Sequence, residues 1–398
     1  MKTLTVLGIE TSCDETAVSV VRFDEAKGTA HVLGNTVHSQ IDVHAAYGGV
    51  FPTLAKREHQ INLIPILMKT LEQAGMISNA AATTKEQKIP AAVGEILSRE
   101  TELLEAFKRS VPSIARPDID RIAVTIGPGL EPALWVGINF ARALSMLWNV
   151  PIVPCNHMEG HILAALIENT GDASAHFKLL GENIAYPALS LLISGGHTQI
   201  VLMEKAGSYK IIGETLDDAI GECFDKTARV LKLPYPGGPR IGALAAEARA
   251  QGIKLATPLP RPMLDSDSLD FSFSGLKTAV LYAAKKEKEL TPDLVRAYAR
   301  EIEDSVTDIV IAKMRKAIEG YAPGTLVIGG GVIANGHIRT ALETLAQECS
   351  IKLLLPRIDH STDNALMIAL AGYFNRNKAT DAGVPLKAVG TLPLGPRI

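Results

Sequence analysis

Two apolar strand–turn–strand units, about half a chain apart, constrain this sequence more than any other feature. The first runs Leu4-Thr5-Val6-Leu7-Gly8-Ile9, then the polar turn Glu10-Thr11-Ser12-Cys13-Asp14-Glu15-Thr16, then Ala17-Val18-Ser19-Val20-Val21. The second runs Ala188 to Ile193, then Ser194-Gly195-Gly196-His197-Thr198, then Gln199 to Met203. Apolar run, short polar turn and apolar run is the pattern of a hairpin. Two such units suggest two related lobes, an argument from shape because their identity is poor. Helical spacing lies between them over Leu54–Leu71 and Ala141–Leu147. A long amphipathic helix is expected over Thr291–Ile318, where Thr291-Pro292 supplies a cap and a first turn. Ile122–Ile126 and Leu326–Ile328 read as strands ending at glycines. Strands alternating with helices imply an α/β fold.

The chain of 398 residues has room for two or three domains, or for two large ones. Hydrophobic residues at 47% and charged residues at 21% provide a core and exclude disorder for most of it. Aromatics at 5% make that core aliphatic. No run of apolar residues is long enough for a membrane span. The first residues run straight into a strand, with no apolar signal region before it. Cys13, Cys155, Cys223 and Cys349 are widely spaced, which argues against a disulfide framework and for a reducing, cytoplasmic setting. The net charge of −3 gives no support to a nucleic-acid partner. The stretch Ile77–Pro117 reads as an exposed insertion with one helix over Pro90–Lys108. Glu168–Glu182 is a second soft stretch.

Four groups of residues could carry chemistry. In Asn156-His157-Met158-Glu159-Gly160-His161, Asn156 can cap a helix and Glu159 follows at capping-box spacing. His157 and His161 then share a helix face, where imidazoles can hold one metal ion. The spacing leaves open two histidines that merely pack or face water. The His-Glu-x-x-His protease pattern does not fit. Gly160 inside a helix hints at a close neighbour. Asp363 reads as a first-turn carboxylate of the helix Ala365–Ala371, where capping alone would explain it.

Glycine turns at Gly127-Pro128-Gly129, Ser194-Gly195-Gly196, Pro236-Gly237-Gly238 and Gly329-Gly330-Gly331 let backbone N–H groups approach an anion closely. Together they favour a nucleotide-like ligand, although no P-loop or Rossmann pattern is present. In Leu216–Lys226, a helix would place Asp218, Glu222 and Asp225 on one face. That is either a solvated acidic face or a contact to ribose or metal, with Asp225 the best candidate. Asp14-Glu15 in the first turn is a carboxylate pair that could serve a metal, a water or an amine. The mixed-sign run Lys285–Glu289 reads as a solvated helix face.

These segments, with His44-Ala45-Ala46-Tyr47-Gly48-Gly49-Val50, Arg57-Glu58-His59, Phe271-Ser272-Phe273-Ser274-Gly275-Leu276-Lys277, Gly329 to Asn335 and Ser361-Thr362-Asp363-Asn364-Ala365, resemble one family in order along nearly the whole chain. It is the TsaD family of tRNA threonylcarbamoyladenosine transferases, in its bacterial form. The resemblance implies an actin-like, sugar-kinase-like and Hsp70-like ATPase fold (the ribonuclease H-like ASKHA class) of two lobes around a cleft. The lobes are expected at residues 1–185 and 186–398, with an insertion near 77–117 and a return of the last helix to the first lobe left open. It implies one divalent metal per subunit, iron or zinc, held by His157, His161 and Asp363. It implies that Leu192, Ile193, Ser194, Gly195, Gly196, Asp225, Gly238 and Asn335 contact threonylcarbamoyl-AMP.

The implied reaction moves the threonylcarbamoyl group to N6 of the adenosine next to the anticodon, in tRNAs reading codons that start with A, and releases AMP. Asp14 or Glu15 would orient the amine or take its proton. Implied partners are tRNA, an inactive TsaB-like paralogue and a TsaE-like P-loop ATPase, with no membrane. Two features depart from the family: the 77–117 stretch is longer, and the net charge is odd for a tRNA enzyme unless partners supply basic surface. The alternatives are a small-molecule kinase or ATPase of the same fold, a metalloprotease, and a non-catalytic scaffold. The histidine pair argues against the kinase. The glutamate position and the cysteine pattern argue against the protease. Retention of His157, His161 and Asp363 argues against the scaffold.

Overall fold

The computed structural model describes residues 3–77, 87–170, 175–181 and 184–398. They form two compact units. One holds the chain up to His44, Val50–Leu180 and Asp363–Pro393; the other holds Ala45–Gly49, Gly181–Thr362 and Leu394–Ile398.

The first unit is built on β1 (Thr3–Glu10), β2 (Glu15–Asp24), β3 (Thr29–Ser39), β4 (Arg121–Gly127), β5 (Ile152–Asn156), β6 (Ile167–Asn169) and β7 (His176–Leu179). Their order in the sheet is β5-β4-β1-β2-β3-β7-β6. The second unit is built on β8 (Ala188–Ile193), β9 (Thr198–Lys205), β10 (Ser208–Glu214), β11 (Thr325–Gly329) and β12 (Lys352–Leu354), in the order β10-β9-β8-β11-β12. Both sheets repeat one plan. Three antiparallel strands form a meander, and two more strands add in parallel beside the first of them. That doubled order is the ribonuclease H-like topology of the actin-like class. It grows from the two hairpins legible in the sequence.

In the first unit, one sheet face packs Leu7, Ile9, Val18, Val20, Ile122 and Val124 against the helices Pro52–Gln73 and Glu131–Trp148. Burying each such side chain contributes about 1.5–3 kcal/mol. The helix Pro52–Gln73 contains the apolar run expected over Leu54–Leu71, although Ile61 faces outward at 43% exposure. The other sheet face carries the helix Ala365–Phe374, which is buried from Ala365 to Tyr373. Gly8 makes that contact possible: a Cβ there would stand 2.3 Å from Ala365 O and 2.8 Å from Ala369 N. Backbone on backbone at this spacing brings the start of that helix to the end of β1.

The 77–117 stretch differs from expectation. Residues 78–86 lie outside the described residues. The rest forms two helices, Ala91–Ile96 and Thr101–Ser110, not one over Pro90–Lys108. It is also not an exposed appendage, because Val93, Leu97, Leu103, Phe107, Val111 and Ile114 join the core. Phe107 meets Phe140 edge-on, with centroids 6.4 Å apart. The break falls at Glu100, whose carboxylate is buried, accepts a hydrogen bond from Asn139 Nδ2 at 3.2 Å and faces Lys56. In the soft stretch after it, β6 and β7 pair as a hairpin on the edge of the sheet, and residues 171–174 and 182–183 lie outside the described residues.

In the second unit, a single core joins β8, β9 and β11 to the helices Ile220–Val230, Ser274–Lys286 and Pro292–Tyr321. The helix Pro292–Tyr321 starts as expected, with the Thr291 hydroxyl accepting from Leu294 N–H. Among the described residues, no helix is long and apolar enough to cross a membrane.

Candidate functional site

The histidine pair sits on the helix His157–Ala164 of the first unit. Asn156 caps it, its Oδ1 accepting from Met158 N–H at 2.9 Å and Glu159 N–H at 3.3 Å. A cap of this kind is worth about 1 kcal/mol. Glu159 turns to another partner, accepting from Asn375 Nδ2 at 2.8 Å. The close neighbour hinted at by Gly160 is the helix Ala365–Phe374: a Cβ on Gly160 would lie 3.1 Å from Met367 Cγ. The two helices therefore pack tightly.

Asp363 is not the cap of its helix. Asn364 is, accepting from Met367 N–H at 3.1 Å, and Asp363 stands one residue earlier. Relieved of capping, its Oδ1 lies 3.1 Å from His161 Nε2 and 3.4 Å from His157 Nε2. One ligand atom from each of His157, His161 and Asp363 lies within 4.8 Å of the other two. Neither nitrogen of the buried His161 ring makes an aligned hydrogen bond among the described residues. Buried imidazole nitrogens without such a partner are costly, and a metal ion would satisfy Nε2. Two imidazoles and a carboxylate suit zinc or iron(II). The residues present therefore fit a divalent metal.

Behind His157 lies a carboxylate that the sequence reading left inside a turn. Glu10, the last residue of β1, is fully buried. It accepts from Ser12 N–H at 2.5 Å and from the Thr125 hydroxyl at 2.6 Å, and it lies 3.1 Å from His157 Nδ1. This pairing favours a proton on Nδ1 and leaves Nε2, on the Asp363 side, as the nitrogen a metal would take, the usual arrangement behind a metal-bound histidine. Burial alone would push the His157 ring toward neutrality, but Asp363 and Glu10 outweigh it and raise its pKa well above the ordinary range. Burial would raise Asp363, yet His157 and His161 hold it well below the usual carboxylate range. Glu10 is lowered in the same way, its burial outweighed by His157. The signal for Glu10 was a charged residue closing an otherwise apolar strand.

Asp14 stands in the turn between β1 and β2, and Glu15 opens β2. Burial, and then the negative charge of Asp363, raises Asp14; burial, Asp363 and Asp14 together raise Glu15 well above its ordinary value. Carboxyls with raised pKa values suit proton transfer near neutrality. A buried chain of polar groups that the sequence reading missed holds this turn. His59 Nε2–H donates to Cys13 O at 3.0 Å. Its Nδ1 accepts from the Thr16 hydroxyl at 2.7 Å and from Gln40 Nε2 at 3.3 Å. Gln40 Oε1 accepts from His44 Nε2 at 3.1 Å, and His44 Nδ1 accepts from Phe51 N–H at 3.3 Å. Burial holds His59 neutral, at a pKa of about 4.

The residues expected to contact an adenylate all lie in the second unit. Leu192 and Ile193 end β8 with fully buried side chains, so they can offer a ligand only backbone. Ser194 N–H is committed to His197 O at 2.8 Å. Gly195 and Gly196 are exposed, and a Cβ on either would meet nothing within 4 Å. The helix Ile220–Val230 begins against this turn, with Gly221 N–H donating to Ser194 O at 3.2 Å. Asp218 lies before that helix, not on one face with Glu222 and Asp225. The acidic run does not simply repel, because Lys226 lies 2.7 Å from both Asp218 and Glu222. Asp225 Oδ1 accepts from Gly237 N–H at 2.7 Å, beside Gly238 at the start of the helix Gly237–Ala250. Gly330, at φ +93°, approaches Ile193 so closely that a Cβ would stand 2.4 Å from its carbonyl oxygen. Asn335 then caps the helix Gly336–Glu348.

Similar solved structures include full-length HypF in its phosphate- and nucleotide-bound form, 10% identical with a TM-score of 0.49, covering 94% of this chain and 46% of that one. YeaZ from Pseudomonas aeruginosa is 15% identical with a TM-score of 0.26, covering 52% of this chain and 64% of that one. A ROK family glucokinase from Streptomyces griseus, in complex with glucose and AMPPNP, is 11% identical with a TM-score of 0.36, covering 94% and 99%. The chain thus spans less than two thirds of the HypF and YeaZ chains. The sequence model of TsaD, described as tRNA N6-adenosine threonylcarbamoyltransferase, matches residues 31–83 and 101–370. The match takes in the histidine pair, Asp363 and every expected adenylate residue, and the chain belongs to the TsaD family of tRNA N6-adenosine threonylcarbamoyltransferases.

Proposed function

We propose that this chain transfers the threonylcarbamoyl group from threonylcarbamoyl-AMP to N6 of the adenosine next to the anticodon in tRNAs reading A-starting codons. The observation that carries the proposal is the buried group of His157, His161 and Asp363, backed by Glu10, in a member of this family. The N6 lone pair attacks the carbamoyl carbon, the bond from that carbon to the phosphate oxygen breaks, and AMP leaves with the electron pair. Asp14 or Glu15 takes the amine proton, a role supported by their raised pKa values. The open Gly195-Gly196 turn offers backbone to the adenylate phosphate. Asp225, Gly238 and Asn335 contact the rest of the adenylate. A metal held by His157, His161 and Asp363 would supply Lewis acidity toward the threonylcarbamoyl group, and zinc or iron(II) would suit the donor set.

The substrate partner is tRNA, and the macromolecular partners are a TsaB-like paralogue and a TsaE-like ATPase. A net charge of −3 supports the reading that partners provide basic surface for tRNA phosphates. Four unpaired cysteines support a reducing, cytoplasmic setting. The experiment is AMP release from threonylcarbamoyl-AMP by the chain with both partners, in the presence and absence of substrate tRNA. Release that matches tRNA modification one for one supports the proposal. Release that ignores tRNA, or ATP turnover with a small-molecule acceptor, would move the reading to a kinase or ATPase.

A further inference from the structure

Asn335 ends a short 3-10 turn, Gly331–Ala334, and caps the helix Gly336–Glu348. Its Oδ1 accepts from His337 N–H and Ile338 N–H, each at 3.1 Å. Its Nδ2 donates to Glu303 Oε1 at 2.5 Å. A side-chain amide has two acceptor positions and two N–H donors. Here both acceptor positions and one donor are committed, so a single N–H remains for a ligand. Glu303 is 1% exposed, in the middle of the helix Pro292–Tyr321. Its other oxygen accepts from Arg249 Nη1, while Arg249 Nη2 donates to Asp304. Asp304 also lies 3.2 Å from His337 Nε2. One helix thus grips Asn335 and the residue two places beyond it.

The space beside the amide is kept clear. A Cβ on Gly242 would stand 3.2 Å from Asn335 Nδ2 and 3.4 Å from Glu303 Oε1. Gly242 lies one helical turn after Gly238 and on the same face. A bare strip therefore runs from Gly238 to the amide.

We infer that Glu303 is a positioning residue for the adenylate: by taking one N–H of Asn335 it fixes which end of that amide faces the ligand, and Gly242 leaves the room. The ligand group it serves is a hydrogen-bond acceptor, a hydroxyl or carboxylate oxygen of the threonylcarbamoyl-adenylate. The inference rests on the proposed reading of Asn335 as an adenylate contact.

Glu303→Gln keeps the volume but puts an NH2 group against either Asn335 Nδ2 or Arg249. Steady-state transfer with threonylcarbamoyl-AMP, tRNA and the two partners should then show KM for the adenylate raised about tenfold, the cost of roughly one lost hydrogen bond. The kcat should stay within about twofold, because Glu303 does not meet the reacting atoms. The deciding comparison is the double variant. If Glu303 acts through Asn335, Glu303→Gln adds nothing in an Asn335→Ala background. A KM penalty that multiplies with that of Asn335→Ala overturns the inference. Gly242→Ala crowds the same amide and Glu303 Oε1 without altering any charged group, and should raise KM in the same way even if Glu303→Gln folds poorly. An unchanged KM in Gly242→Ala counts against the inference. An unchanged KM in Asn335→Ala alone overturns the adenylate reading itself, and with it the role of Glu303.

Discussion

Replacing Glu10 by glutamine tests how far metal binding at the candidate site of His157, His161 and Asp363 depends on the carboxylate behind it. The native carboxylate meets Ser12 N–H, the Thr125 hydroxyl and His157 Nδ1 at 2.5, 2.6 and 3.1 Å. Glutamine has nearly the same size but keeps only one acceptor oxygen. With that oxygen on Ser12 N–H, its NH2 faces Thr125 and His157. The Thr125 hydroxyl can rotate to accept, but the His157 Nδ1–H loses its charged acceptor and keeps only the neutral Ser12 hydroxyl, 3.2 Å away. The Nδ1–H tautomer, which leaves Nε2 to a metal, is then less favoured. A hydrogen bond to a charged group is worth about 1.5–3 kcal/mol. At about 1.4 kcal/mol per decade, that is roughly a 10–100-fold loss of metal affinity, the range seen when such supporting groups are removed. The assay is zinc affinity by chelator competition at constant neutral pH. Thermal unfolding by tryptophan fluorescence controls for the fold, since Trp135 and Trp148 both lie in the first unit. Unchanged affinity in a folded variant would refute the reasoning.

Further outcomes follow from the same geometry. His59 has a folded pKa of about 4 against 6.5 for the ordinary ring, a gap worth about 3 kcal/mol. Because the folded value is depressed, that stability is complete above pH 6.5 and is lost as pH falls toward 4. Denaturant unfolding of the first unit should therefore weaken between pH 7 and 5 by about 2 kcal/mol more in the native chain than in His59→Gln; parallel pH profiles would contradict this. Phe107→Ala should cost about 3–5 kcal/mol of first-unit stability, because its ring fills the core beside Phe140; a change within error would mean the 101–110 helix is not part of that core. Asp14→Ala should lower kcat by about 10²–10⁴ with metal content unchanged; normal turnover would leave Glu15 as the proton acceptor.

What was legible in the sequence was local. The hairpins, the Asn156 cap and the histidine pair are set by neighbours within a few residues, and spacing alone exposed them. Glu10 was hidden because its partners, Thr125 and His157, are more than a hundred residues away and reach it only through the parallel strands β4 and β5. The His59–Gln40–His44 chain was hidden for the same reason: each residue is unremarkable in its own segment. From its own segment Asp363 reads as a cap because two adjacent polar residues compete for one cap, and Asn364 takes it. The 77–117 stretch looked exposed because the break at Glu100 interrupts its apolar spacing. Val93 and Leu97 lie before the break, and Leu103 and Phe107 lie after it, so no single helical period links them.

The central claim is a threonylcarbamoyl transferase whose activity depends on a metal at His157, His161 and Asp363. The most direct test is transfer of labelled threonylcarbamoyl from its preformed adenylate to substrate tRNA, with both partners, comparing the native chain with His157→Ala and measuring bound metal in each. The account predicts that the native chain carries metal and modifies the tRNA, and that the variant loses both. Equal transfer by a metal-free variant would contradict the metal's role, and no transfer by the native chain with competent partners would contradict the reaction.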